Sequence, residues 1–103
     1  MEYEVIISES AERDINKILM YMTVKLANPQ AATDWADELA MRYNELSKHP
    51  KMYGYSLIEP LRRIGYRRFV VKNYIVFYRL DDVRRRVIIV RVFYSKQNYE
   101  KYL

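Results

Sequence analysis

The sequence predicts an α+β fold in which an antiparallel helical hairpin packs on one face of a small antiparallel β-sheet. Three observations predict it. Apolar residues recur at helical spacing between residues 8 and 49, and the period changes to that of strands after residue 64. The third is size: 103 residues, 50% of them hydrophobic, can bury one core but not two. The expected order is strand, helix, helix, strand, strand, strand, in a single domain spanning residues 1–103.

Each element has a local cause. Residues 3–7, Tyr-Glu-Val-Ile-Ile, read as a short strand. Ser8 follows as a helix N-cap, because its hydroxyl can accept an orphan backbone N–H, and Glu9, Glu12 and Asp14 suit the positive end of the helix dipole. Ala11, Ile15, Ile18, Met22 and Leu26 make one apolar stripe. Asn28-Pro29 restarts the chain as N-cap and first helical residue, and Ala32, Trp35, Leu39, Tyr43 and Leu46 make the second stripe. His49-Pro50 ends it, since a residue before proline is pushed out of helical geometry.

Residues 50–64, with Gly54 and Pro60, read as an irregular connection. Strands are expected at 66–71 and 74–80 around a two-residue turn, Lys72-Asn73, with Asn73 taking the positive φ. A second turn at Asp81-Asp82-Val83-Arg84 leads to a strand at 87–94, the most apolar and therefore central. Residues 95–103 are expected to close the chain with a short helix.

Composition narrows the chemistry. The absence of cysteine removes disulfides, thiolate zinc sites and cysteine nucleophiles, and a single histidine argues against a histidine-cluster metal site. No metal and no cofactor are expected. The longest apolar run, residues 87–90, is far short of a membrane span, and Met1-Glu2-Tyr3-Glu4 lacks the features of a secretory signal. A cytoplasmic protein with no membrane partner is the expectation.

The net charge of +5 is unevenly spread. Residues 1–61 hold six Lys/Arg and ten Asp/Glu, whereas residues 62–96 hold eleven Lys/Arg against Asp81 and Asp82 alone. Such a block faces an anionic partner, or else blunts a sheet edge. In the expected hairpin register Phe69, Val71, Tyr74, Val76 and Tyr78 lie beneath the helices, joined by Ile88, Val90 and Val92 of the last strand. The opposite, uncovered face carries Arg68, Val70, Ile75, Phe77 and Arg79, with Ile89, Arg91 and Phe93. Arginines interleaved with aromatics suit stacking on bases and pairing with phosphates, and equally a protein interface. His49 at its helix end and Trp35 on its stripe read as structural, and Arg84-Arg85-Arg86 in its turn reads equally as solvated charge or as a contact.

The chain resembles the RelE/ParE superfamily of bacterial type II toxins along essentially its whole length. The resemblance rests on Ser8-x-x-Ala11-x-x-Asp14-Ile15, Ala31-Ala32 and Leu46-x-x-x-Pro50. It rests also on Arg67-Arg68-Phe69-Val70-Val71, Asn73-Tyr74-Ile75-Val76-Phe77-Tyr78-Arg79 and Val87-x-Ile89-x-Arg91-Val92. It implies a toxin neutralised by a cognate antitoxin, expected to be acidic and partly disordered. It also implies one of two activities: cleavage of mRNA on the ribosome, or inhibition of DNA gyrase by binding. The RNA-cleaving branch has an arginine after the tyrosine at the Tyr74 position, where this chain has Ile75. Arg68 stands where that branch carries a basic residue, and Lys96, Gln97, Tyr99 and Tyr102 follow the last strand in place of its further basic and tyrosyl groups.

For metal-independent RNA cleavage, Arg68, Arg91 and Tyr94 are the catalytic candidates, with no obvious base for the 2′-hydroxyl. Arg68, Phe77, Arg79, Arg91, Phe93 and Lys96 are the candidates for a surface that binds the target or RNA. The gyrase-binding branch needs no catalytic set and is the closer match. The residues that receive the antitoxin are not assigned by the sequence.

Overall fold

The computed structural model describes residues 2–97 and 99–102. The chain runs β1 (Glu4–Ile7), α1 (Glu9–Met20), a π-helical segment (Tyr21–Lys25), α2 (Pro29–Lys48), α3 (Glu59–Arg63), β2 (Arg67–Val71), β3 (Tyr74–Asp81) and β4 (Arg86–Tyr94), then a 3-10 turn (Tyr99–Tyr102). That turn occupies part of the expected closing helix, of which Asn98 and Leu103 lie outside the described residues. No helix among the described residues is long and apolar enough to cross a membrane.

Both long helices begin at the side chains expected. Ser8 Oγ accepts the N–H of Ala11 at 3.0 Å, and Asn28 Oδ1 accepts that of Ala31 at 3.1 Å, with Pro29 in the first turn. His49 caps α2, its N–H donating to Glu45 O. The stripes Ala11, Ile18 and Met22, and Ala32, Trp35, Leu39 and Leu46, meet Phe69, Val71, Val76, Tyr78, Val87, Ile89 and Val92 of the sheet in one core. Burial of so much apolar surface on one side of the sheet is what holds the layers together.

The sheet order is β1-β4-β3-β2. The β2–β3 hairpin has the expected register, Val71 opposite Tyr74 and Arg68 opposite Phe77. The positive φ of its turn falls on Lys72, at 57°, and not on Asn73. Three larger departures follow from pairing at long range. The sheet is mixed, because β1 runs parallel to β4, Glu4 through Ile7 lying beside Arg86 through Ile89. A bulge separates the pairs Phe77–Arg91 and Tyr78–Ile89, leaving Val90 as the extra residue. Ile89 therefore points into the helix-side core and Ile88 away from it, the reverse of the expectation, while Arg91, Val92 and Phe93 keep their expected faces. Third, Leu26 does not continue the first stripe. The π-helical segment turns with Leu26 N–H donating to Tyr21 O, five residues back, so Leu26 lies off the line of Met22 and is 54% exposed.

Tyrosines in this core are held neutral. Burial pushes both the Tyr43 and the Tyr78 phenols up to about 12 from an ordinary 10.0. Tyr78 donates to Pro50 O at 3.1 Å, whereas the buried Tyr43 hydroxyl has no hydrogen-bond partner among the described residues. A pKa raised in the fold means that the native state holds these protons more tightly than the unfolded chain. Their contribution to stability is complete below pH 10 and is lost as the pH climbs from 10 towards 12. Denaturant midpoints measured across that window are expected to fall steeply, and Tyr43→Phe is expected to flatten the fall. A midpoint independent of pH there would refute the assignment.

Candidate functional site

The face of the sheet away from α1 and α2 is not the uncovered surface that the strand pattern predicts. The connection 50–64 returns across it: Leu61 of α3 is buried against Ile75, Phe77 and Phe93, with Ile58, Tyr66 and Tyr99 packed around them. Phe77 is 0% exposed and Phe93 4%, so neither is a surface residue. Tyr99 seals them from the C-terminal side, its ring 5.7 Å from that of Phe93 at 13° and 5.6 Å from that of Phe77. The aromatics form a second small core instead of a stacking platform. The strand pattern showed them on this face, but α3 was hidden by its five-residue length and by Pro60.

Arg91 is likewise engaged. Its Nε and Nη2 donate to Asp14 Oδ2 and Oδ1 at 2.8 and 3.1 Å, and the backbone N–H of Val92 donates to the same Oδ2 at 2.9 Å. Its Nη1 reaches Tyr102 O at 3.3 Å and its guanidinium lies 4.5 Å from the centre of the Phe93 ring. The hydrogen bonds to Asp14 hold the guanidinium pKa above its usual value. The sheet geometry explains the arrangement. β1 ends at Ile7, opposite Ile89, and leaves the rest of β4 as an edge. Ser8 Oγ then donates to Val90 O at 2.9 Å, and Asp14 takes the next edge N–H. Ser8, Ala11 and Asp14 share one helix face at a spacing of three, the one signal in the sequence for this clasp.

The remaining candidates are more accessible. Arg68 is half-buried on β2, and Arg79, opposite Ile88 on β3, is exposed. Neither is seen in an ion pair with a described residue. Tyr94 at the end of β4 is 39% exposed, its ring edge-on to that of Tyr74 at 5.7 Å, and Lys96 is exposed beyond it. Trp35 is core, its Nε1 donating to Val71 O at 3.3 Å, and His49 is an exposed cap. Neighbouring Arg67 is taken up structurally, donating to Tyr53 O at 2.7 Å and lying 4.1 Å from the centre of the Tyr55 ring. Among the described residues no group of three His, Cys, Asp or Glu side chains is placed to hold a metal ion. What this side of the molecule offers is scattered cations at the rim of an apolar sub-core.

A family model described as the ParE toxin of the type II toxin–antitoxin system parDE matches residues 5–99. The chain belongs to the ParE toxin family. Toxin ParE1 of Caulobacter vibrioides is 33% identical over 97 residues, covering 94% of each chain. Among solved structures, the toxin–antitoxin complex RelBE2 of Mycobacterium tuberculosis superposes with a TM-score of 0.65 at 26% identity, covering 91% of this chain and 99% of that one. The chromosomal ParDE system of P. aeruginosa gives 0.71 at 15% identity, over 92% and 98% of the two chains, and shares the fold. So does E. coli RelE, at 0.64 and 14% identity, over 93% and 86%. By its family the chain is thus a toxin of the type II toxin–antitoxin class.

Proposed function

We propose that this toxin arrests growth by binding DNA gyrase and inhibiting it without chemistry of its own. The observation that carries the reading is the state of the expected catalytic groups. Arg91 is bound by Asp14 on two nitrogens, and Ile75, where the RNA-cleaving branch has its arginine, is sealed beneath Leu61. Metal-free RNA cleavage needs a base, an acid and cations converging on one phosphate. Arg68, Arg79 and Lys96 are exposed or half-exposed instead on separate strands and a turn, as suits contacts across a protein interface.

A supercoiling assay with purified gyrase tests this. Inhibition is expected at micromolar toxin, and Arg79→Glu is expected to raise the concentration needed about tenfold, as loss of a rim charge pair would. Absence of inhibition, together with cuts in translated mRNA that disappear in Arg68→Ala, would overturn the proposal in favour of a ribosome-dependent endoribonuclease. Pulse-labelling separates the two in cells: thymidine incorporation should fail before amino-acid incorporation does.

A further inference from the structure

The connection between α2 and β2 does more than cover the sheet. Ser56 N–H donates to Tyr66 O at 2.8 Å, so residues 56–66 leave the sheet and return to it at one point, as a closed Ω-shaped loop. The loop is held from inside. Leu61 and Ile58 pack against Ile75, Phe77 and Phe93. Tyr66 N–H donates to Leu61 O at 2.9 Å, and the buried Ser56 accepts the N–H of Ile58 on its Oγ at 3.1 Å. Gly65, at a φ of 89°, makes the return, a conformation that a side chain would strain. Yet Leu57 and Ile64, on the two limbs of this anchored loop, are 77% and 64% exposed. Apolar side chains displayed on a loop whose shape is already fixed lose little freedom when a partner covers them.

The charge around the loop is one-sided. Between residues 56 and 72, Glu59 is the one acidic residue, against Arg62, Arg63, Arg67, Arg68 and Lys72. The Glu59 carboxylate accepts from both Arg63 and Arg62, which hold its pKa below the ordinary value and tether two guanidiniums with one positive charge in excess. Arg67 lies opposite Tyr78, so Arg79 comes level with Tyr66 at the foot of the loop, on the face that the loop covers. Aliphatic side chains bordered by arginines are complementary to an apolar recess in an acidic protein surface. They suit a nucleic acid less, since its contacts are mostly hydrogen bonds to phosphate and sugar. We propose that loop 56–66 is the element by which the toxin docks on gyrase, with Leu57 and Ile64 entering an apolar recess of an acidic patch and Arg62, Arg63 and Arg79 meeting its rim. The inference rests on the gyrase reading above, and adds the segment and the chemistry of the contact.

The test measures binding of the full-length toxin to immobilised gyrase holoenzyme by interferometry, with inhibition of supercoiling read in parallel. Leu57→Ser/Ile64→Ser is expected to weaken binding at least about tenfold and to raise the inhibitory concentration by the same factor. Arg63→Glu is expected to weaken it about tenfold and to reduce its salt dependence. Met41→Ser/Val83→Ser removes two exposed apolar side chains from α2 and the β3–β4 turn, away from the loop, and is expected to bind within about threefold of the parent. All substituted residues are exposed, so unchanged melting temperatures verify the fold. Parent-like affinity in both loop variants overturns the loop and leaves the gyrase reading standing. No binding by the unsubstituted toxin overturns that reading and the loop with it. Retention of the toxin by duplex DNA without gyrase, lost in Arg63→Glu and kept in Leu57→Ser/Ile64→Ser, gives the surface to a nucleic acid and also overturns the proposal.

Discussion

Asp14→Ala is expected to destabilise the toxin by about 3–4 kcal/mol, as removal of one partner from a largely buried ion pair does. Three N–H groups converge on this one carboxylate, two from Arg91 and one from the backbone of Val92. Its side chain is only 13% exposed and that of Arg91 25%, so water replaces little of what is lost. Arg91→Ala should cost less, about 1–2 kcal/mol, because Asp14 keeps the Val92 N–H and can turn its other oxygen to solvent. The double substitution should be scarcely worse than Asp14→Ala, a coupling of about 1–2 kcal/mol in a double-mutant cycle. Asp14→Asn, with one carbonyl oxygen still able to accept from Val92, should recover part of the loss. Urea denaturation of the parent and the four variants measures all of this, and strictly additive costs would show that the pair does not act as a unit.

The second large effect is expected at Trp35. The side chain is fully buried, edge-on to Tyr74 at 5.3 Å, and its Nε1 satisfies the carbonyl of Val71 at the turn of the β2–β3 hairpin. Trp35→Ala should cost about 3–5 kcal/mol, through a cavity between α2 and the sheet and the loss of the hydrogen bond to Val71 O. Trp35→Phe refills most of the space but lacks the donor to Val71 O, so it should cost about half as much. Thermal melts followed by far-ultraviolet circular dichroism compare them, and equal costs for the two substitutions would mean that packing contributes nothing beyond the hydrogen bond.

Both effects depend on contacts with very different degrees of visibility in the sequence. Trp35 sits in a stripe with Ala32, Leu39 and Leu46, and such a stripe needs only its helical period to be recognised. Asp14 looks like an ordinary acidic residue near a helix start, and its partners are Arg91 and Val92, 77 and 78 residues further on. The same contrast runs through the candidate site. The alternation of β2 and β3 placed Arg68, Phe77 and Arg79 on one face correctly, because a two-residue turn sets the register of a hairpin. The alternation says nothing about what later covers that face. Leu61 and Tyr99 do so from segments with little periodicity of their own, and they turn Phe77 and Phe93 from surface into core.

By itself, then, the sequence determined the helix starts at Ser8 and Asn28, the stop at His49-Pro50, the hairpin register and the family. Each of these depends on side chains within a few residues of one another, or on a pattern carried along the chain. Only the tertiary structure decided that β1 runs parallel beside β4, that a bulge at Val90 exchanges Ile88 and Ile89, and that Asp14 clasps the edge β1 leaves open. It also decided that the end of α1 widens into a π-helical turn and presents Tyr21 and Leu26 to the solvent. These outcomes are settled by competition among distant segments for the same strand edge, the same face or the same core space. No window of neighbouring residues contains both competitors.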